Sequence, residues 1–261
     1  MITEQRHAWR IAAISITVLL LLTLILYQQT VLYLTGLWNQ YKTGNYAHGY
    51  LVLAISVYLI VMNRKKLATL IPRSSYHALP AVFAASLLWL AAELVDVNVV
   101  QAVALLLLLL AVVWAVFGNQ VTSILVFPIL FLGFAVPIWF PLSPLLQDLA
   151  ADVVYWAIRL VGVPASRQEN LILLPAGTFS VEESCSGLRY LLAALTLGTL
   201  YAYLYYKTVH ARVIVVLVSA GAAILANIIR VFIVVYAGYA TEMQHHYVHD
   251  HEMLGLSLIH I

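Results

Sequence analysis

The chain is 261 residues long, 64% hydrophobic and only 9% charged, a balance that excludes a water-soluble globular domain of this length. Its formal net charge of +2 is too small for a nucleic-acid-binding surface, and its basic residues stand in short clusters beside apolar runs, where they report membrane topology. The single cysteine excludes an internal disulfide and an all-cysteine metal cage, so Cys185 is an inert thiol, an intermolecular link or a reactive group.

In chain order, Arg6 and Arg10 precede a first apolar run over 11–27, with no small-residue cleavage site after Leu26. It reads as a retained span ending at Tyr27, Gln28 and Gln29 rather than as a signal peptide. Further runs of the length that a hydrocarbon core demands predict spans over 48–62, 78–95, 99–117, 121–140, 187–206 and 212–238, with an eighth beginning near 252. Three basic clusters (Arg6 and Arg10; Asn63 to Lys66; Lys207 to Arg212) should face the cytoplasm by the positive-inside rule. That orientation requires the fifth span to leave the membrane near Phe140 and the segment 141–186 to stay at the outer face, together with Cys185.

Within that outer segment, 143–163 has a helical pattern carrying Asp148, Asp152 and Arg159, as suits an interfacial helix. From Asn170 to Val181, two short apolar runs flank Pro175-Ala176-Gly177, which predicts a small hairpin. Pro128, Pro137, Pro141 and Pro144 crowd the end of the fifth span, tolerable where neighbours satisfy the freed carbonyls. The expected fold is an all-α polytopic transmembrane bundle of about seven to eight spans, with an outer-face interfacial helix and a short hairpin. His48, Asn45, Glu93 and Asp96 either pair across helices or line its lumen.

Cys185 lies in Glu182-Glu183-Ser184-Cys185-Ser186-Gly187, just before the apolar run that starts at Leu188. A helix amino terminus favours thiolate over thiol, since unpaired amides and the positive end of the dipole gather there. Glu182 and Glu183 act against this unless turned away or paired with Arg167, Arg189 or Arg230. Arg230 is the stronger anomaly, a charge inside AILANIIRVFIVVYAGY. An intramembrane arginine is costly unless it faces the bundle interior with a partner; snorkelling or pairing with Glu93 are the bland alternatives. Asn227, three residues earlier, shares its helix face and is placed to orient the guanidinium.

The stretch QHHYVHDHE brings His245, His246, His249 and His251 beside Asp250 and Glu252. Histidine suits a general base that takes a proton from a thiol and returns one to a leaving amine. The same cluster admits adventitious zinc, but an HExxH metalloprotease helix would need its second ligand where Gly255 stands, so no metal site is assigned.

Taken together, YAHGYLVLAISVYLIVMNRKKL, FPILFLGFAVPIW, LPAGTFSVEESCSGLRYLLAALTLGTLYAYLYYK, ANIIRVFIVVY and HDHEMLG resemble the exosortases, near the exosortase A branch of the exosortase and archaeosortase group. The resemblance covers most of the chain. It implies a catalytic set of Cys185, Arg230 and His251, supported by Glu183, Ser186, Gly187, Arg189, Asn227 and Gly255. It also implies an enzyme without cofactor, a thiol peptidase or transpeptidase of the bacterial inner membrane with its site facing the periplasm. Its substrates would be exported proteins ending in a sorting signal: a Pro-Glu-Pro motif, a transmembrane helix and a basic tail. In the family a full final span follows the glycine, whereas Leu256-Ser257-Leu258-Ile259-His260-Ile261 reads as a translated transposon adapter. Residues 1–255 are therefore expected to form one exosortase-like domain, and 256–261 a non-native tail on a truncated chain.

Two other readings stay open at this level. In one, the protein is a transporter or lipid-handling protein in which Arg230 contacts an anionic substrate, gated by histidine protonation; the inner halves of the spans, however, carry almost no ionisable residues for a polar path. In the other, it is a metal sensor that uses the histidine cluster.

Overall fold

A computed structural model describes all residues except 1, 41–43, 183–184 and 243–261. It is 78% helical and divides into two compact units, Met1–Ile138 and Trp139–Ile261. Four stretches are long and apolar enough to cross a membrane: Glu4–Leu26, Tyr76–Leu94, Asn98–Ala135 and Val209–Ala240.

The first unit contains α1 (Ile2–Leu26), α2 (Gln28–Trp38), α3 (Gly49–Met62), α4 (Arg64–Leu67), α5 (Leu79–Leu94) and α6 (Asn98–Phe131). The expected helix end at Tyr27 is only a one-residue break, with φ −108° and ψ 27°, after which α2 continues. Its polar residues tolerate the apolar surroundings because they find partners. Buried Thr30 accepts a hydrogen bond from Trp89 Nε1 at 2.8 Å and donates to Gln101 Oε1 at 3.3 Å.

The long α6 doubles back on itself at Gly118 (φ 72°, ψ −178°), where a Cβ would lie 2.1 Å from the Arg73 carbonyl oxygen. Only glycine fits that backbone and that space. Val113 consequently joins Val121, Leu125 and Ile129 in one buried cluster. The two spans expected over 99–117 and 121–140 are thus antiparallel arms on either side of this turn. Beyond Phe131 the second arm loosens into 3-10 turns over Leu132–Ala135 and Pro137–Trp139. Broken backbone at membrane depth needs hydrogen-bond partners, and they come from neighbouring elements. Ser56 Oγ donates to the Pro128 carbonyl at 2.7 Å, Trp38 Nε1 to Ala135 at 2.9 Å, and His48 Nε2 lies 3.1 Å from the Phe134 carbonyl. His48 therefore supports backbone. Asp96 does not line a lumen: it is exposed in the α5–α6 turn with φ 52°. At one end of this unit Arg6, Arg10 and Arg64 border a common hollow, and Gln5 Nε2 donates to the Ala68 carbonyl at 2.8 Å. The first two basic clusters thus share one end, as their charge pattern requires.

The second unit comprises α7 (Leu142–Leu160), a three-stranded antiparallel sheet of β1 (Ser166–Gln168), β2 (Leu171–Leu174) and β3 (Gly177–Ser180), then α8 (Leu188–Tyr205) and α9 (Val209–Ala240). The β2–β3 hairpin turns at Pro175 and Ala176, as the sequence indicates, with Ile172 opposite Phe179. The third strand, β1, is an addition to that expectation. Its Arg167 pairs with Asp152 at 2.6 Å and with Asp148, fastening the sheet to α7. Of the three arginines weighed as partners for Glu182 and Glu183, Arg167 is thus engaged by two aspartates of α7. Ala150, Val154 and Ile158 of α7 bury against Ile172, Leu174, Val231 and Val235, while Leu145, Leu149, Trp156 and Leu160 remain exposed. A helix that buries one side and presents a second apolar stripe beside acidic residues has the anatomy of an interfacial element.

Candidate functional site

Cys185 sits in the connection between β3 and α8, and several contacts fix where that connection ends. Ser186 is buried; its Oγ accepts from the Leu188 amide at 3.3 Å and lies 3.1 Å from Ser143 Oγ at the start of α7. A hydroxyl that accepts an amide at a helix start satisfies one of the donors that every helix leaves orphaned there. Gly187 follows in the left-handed region, at φ 85°. A Cβ on it would lie 2.6 Å from the Asn227 side chain, so the backbone here approaches α9 more closely than any other residue would permit. On the opposite side Gln147 of α7 donates to the Val181 carbonyl.

Asn227 joins the two halves of the site. Its Nδ2 donates to the Cys185 carbonyl at 3.1 Å, and its Oδ1 accepts from Arg230 Nη2 at 3.0 Å. The three-residue spacing on α9 places the amide and the guanidinium on one face. Arg230 is 3% exposed, so it does not snorkel. Its guanidinium stands over the Tyr190 ring at 5.3 Å, a cation–π contact suited to a desolvated cation. Among the described residues no carboxylate pairs with it, and its Nε has no hydrogen-bond partner.

Cys185 and Arg230 border the same cavity, of about 260 Å³, whose walls are Thr178 to Val181 of β3 and its exit, Glu182, and Val231, Val234 and Val235 of α9. A thiol and a fixed guanidinium thus share a hollow that has a strand on one side and an apolar helix face on the other. Such an arrangement can hold an extended peptide, attack it with sulfur and stabilise developing negative charge.

Of the residues singled out from sequence, Cys185, Ser186, Gly187, Asn227 and Arg230 are brought together; Arg189 lies on the first turn of α8, half-buried. His251, Glu183 and Gly255 lie outside the described residues, as do His245, His246, His249 and the tail 256–261. Sequence reasoning missed Tyr190, because an aromatic on the first turn of an apolar helix carries no signal of the cation it faces. It also missed the wall formed by β3.

A family model described as transmembrane exosortase matches residues 37–260, a range that holds Cys185, Arg230 and His251. No curated protein and no solved structure matches the chain.

Proposed function

We propose, because the chain belongs to the transmembrane exosortase family, that it is a cysteine peptidase or transpeptidase which trims the carboxy-terminal sorting signals of exported proteins. The family is peptidase- or transpeptidase-like, and the chain is a multi-pass membrane protein. The observation that carries the finer reading is the shared cavity of Cys185 and Arg230, with Asn227 bonded to both.

In this reading the Cys185 sulfur, as thiolate, attacks the scissile carbonyl carbon beside a Pro-Glu-Pro motif. The carbonyl π pair moves to oxygen, and the Arg230 guanidinium neutralises that oxyanion. Collapse of the intermediate expels the amine, which takes a proton from His251, and leaves a thioester on Cys185. Water, or a hydroxyl or amine at the cell surface, then attacks the thioester; His251 takes its proton and the thiolate returns. Substrates would be membrane-anchored by a helix with a basic tail and cut at the periplasmic face of the bacterial inner membrane.

The test is processing by this protein of a co-expressed membrane-anchored reporter that ends in such a signal. Cleavage that disappears in Cys185→Ala, by on the order of a thousandfold or more, supports the thiol mechanism. Equal processing by both forms refutes it.

A further inference from the structure

In an antiparallel ladder, alternate residues of a strand bond to one neighbour, and the residues between turn their amide and carbonyl to the opposite edge. The phase of β3 is fixed at its exit, where the Val181 amide donates to the Asn170 carbonyl at 2.9 Å. That bond continues the register in which Ile172 faces Phe179 and Leu174 faces Gly177, so Gly177, Phe179 and Val181 direct their main-chain groups to β2. Thr178 and Ser180 direct theirs the other way. In the sheet order β1-β2-β3 that side of β3 is a free edge among the described residues, and both Thr178 and Ser180 are exposed.

The Cys185 cavity runs along this edge. A space over the face of a sheet is lined by every second residue, because side chains alternate; this one is lined by four in succession, Thr178, Phe179, Ser180 and Val181. The opposite edge, β1, takes no part in it. Phe179 anchors the strand to α9, its ring filling the place where a Cβ on Gly238 would lie 2.2 Å away. The far wall is Val231, Val234 and Val235 of α9, whose side chains offer no hydrogen bond. A row of outward main-chain donors and acceptors is matched by another extended main chain. A lipid tail has neither donor nor acceptor, and a helix on the far side leaves no room for a second sheet.

We infer that this edge binds a peptide by strand addition: an extended segment lies between β3 and α9, exchanges hydrogen bonds with the main chain of Thr178 and Ser180, and becomes the fourth strand of the sheet. The inference rests on the peptidase reading above for which peptide enters; the edge itself asks only for a main chain. Cys185 and Arg230 border the same cavity, so a segment held on this edge brings its carbonyls into the space of the thiol and the guanidinium. Bonds to main chain fix the register of the segment and leave its side chains free to vary.

The experiment is binding of a labelled synthetic peptide, spanning the processed site of the reporter, to the Cys185→Ala protein in lipid nanodiscs. The peptide is N-methylated at one residue at a time, prolines excepted. A strand turns every second amide to its neighbour, so methylation is expected to weaken binding about tenfold at alternate residues and to leave the residues between unaffected. Ser180→Pro removes one outward donor from an edge position that tolerates proline and should weaken the unmethylated peptide about tenfold with an unchanged melting temperature. The N-methyl scan leaves the protein untouched, so it decides even where the proline variant loses its fold. Methylation effects without alternation, or no saturable binding of the unmethylated peptide, overturn the strand addition. Cleavage of the same peptide by the Cys185 form separates the two ideas. A peptide that is cut without alternation removes the strand addition alone, and alternating binding without any cut removes the peptidase reading while the strand addition stands.

Discussion

In the first unit Thr30 and Gln101 are buried between helices and hydrogen-bond one another, with Trp89 completing the set; in the second, Arg230 is buried as deeply, yet its Nε is left without a partner among the described residues. The first arrangement is closed, and its polar atoms need nothing further. The second has its guanidinium in the wall of the Cys185 cavity. A hydroxyl without a partner among the described residues, such as that of Thr122, costs little beside a guanidinium, whose desolvation is among the largest penalties a membrane protein meets. The contrast teaches that burial alone does not single out a candidate site residue here; a buried charge in a cavity wall does.

Beyond the loss of the thiol itself, the largest effect should come from Arg230→Lys. Lysine keeps the charge but cannot bond Asn227 and still offer a second donor in the same plane, so reporter processing is expected to fall about a hundredfold with no loss of thermal stability. A fall in melting temperature alongside processing would make Arg230 a structural residue like those of the first unit. Next is Gly187→Ala, which adds a Cβ at φ 85° against Asn227. It should cost about 2 kcal/mol, read by thermal unfolding in detergent, and should lower processing by displacing Cys185. Gln101→Leu opens the closed set and should cost about 1 kcal/mol, the scale of an interhelical hydrogen bond in a membrane, while the turnover of folded enzyme is unchanged. The smallest effect belongs to Arg167→Ala. Its partners Asp148 and Asp152 are exposed, so losing both pairs should cost less than about 1 kcal/mol, and processing should be retained.

Much of this fold is legible in the sequence because lipid demands long apolar runs, and runs survive inspection one residue at a time. The turn at Gly118 falls between two such runs, and the interfacial character of α7 follows from its periodic acids. What escapes is structure without a run. Strand β1 is three residues, Ser166-Arg167-Gln168, with no alternation to betray it; it exists because Ile172 and its neighbours need a pairing edge and Arg167 a carboxylate. The continuation of the chain into α2 is hidden for the opposite reason: Gln28 and Gln29 look like an exit, while the partners that keep Thr30 inside come from Trp89 and Gln101, far along the chain. In the site, Arg230 announces itself as a charge in an apolar segment. The bond from Asn227 to the Cys185 carbonyl does not, since a main-chain acceptor has no letter of its own.

That bond has a practical consequence. Asn227 holds Cys185 by its carbonyl oxygen rather than by its sulfur, so removing the sulfur leaves the grip untouched. On the proposed peptidase reading, a Cys185→Ala chain is therefore a snare as well as a negative control: it would still seat a client beside Arg230 with no means of releasing it by cleavage, so that the complex could be pulled from the membrane with the client's identity intact.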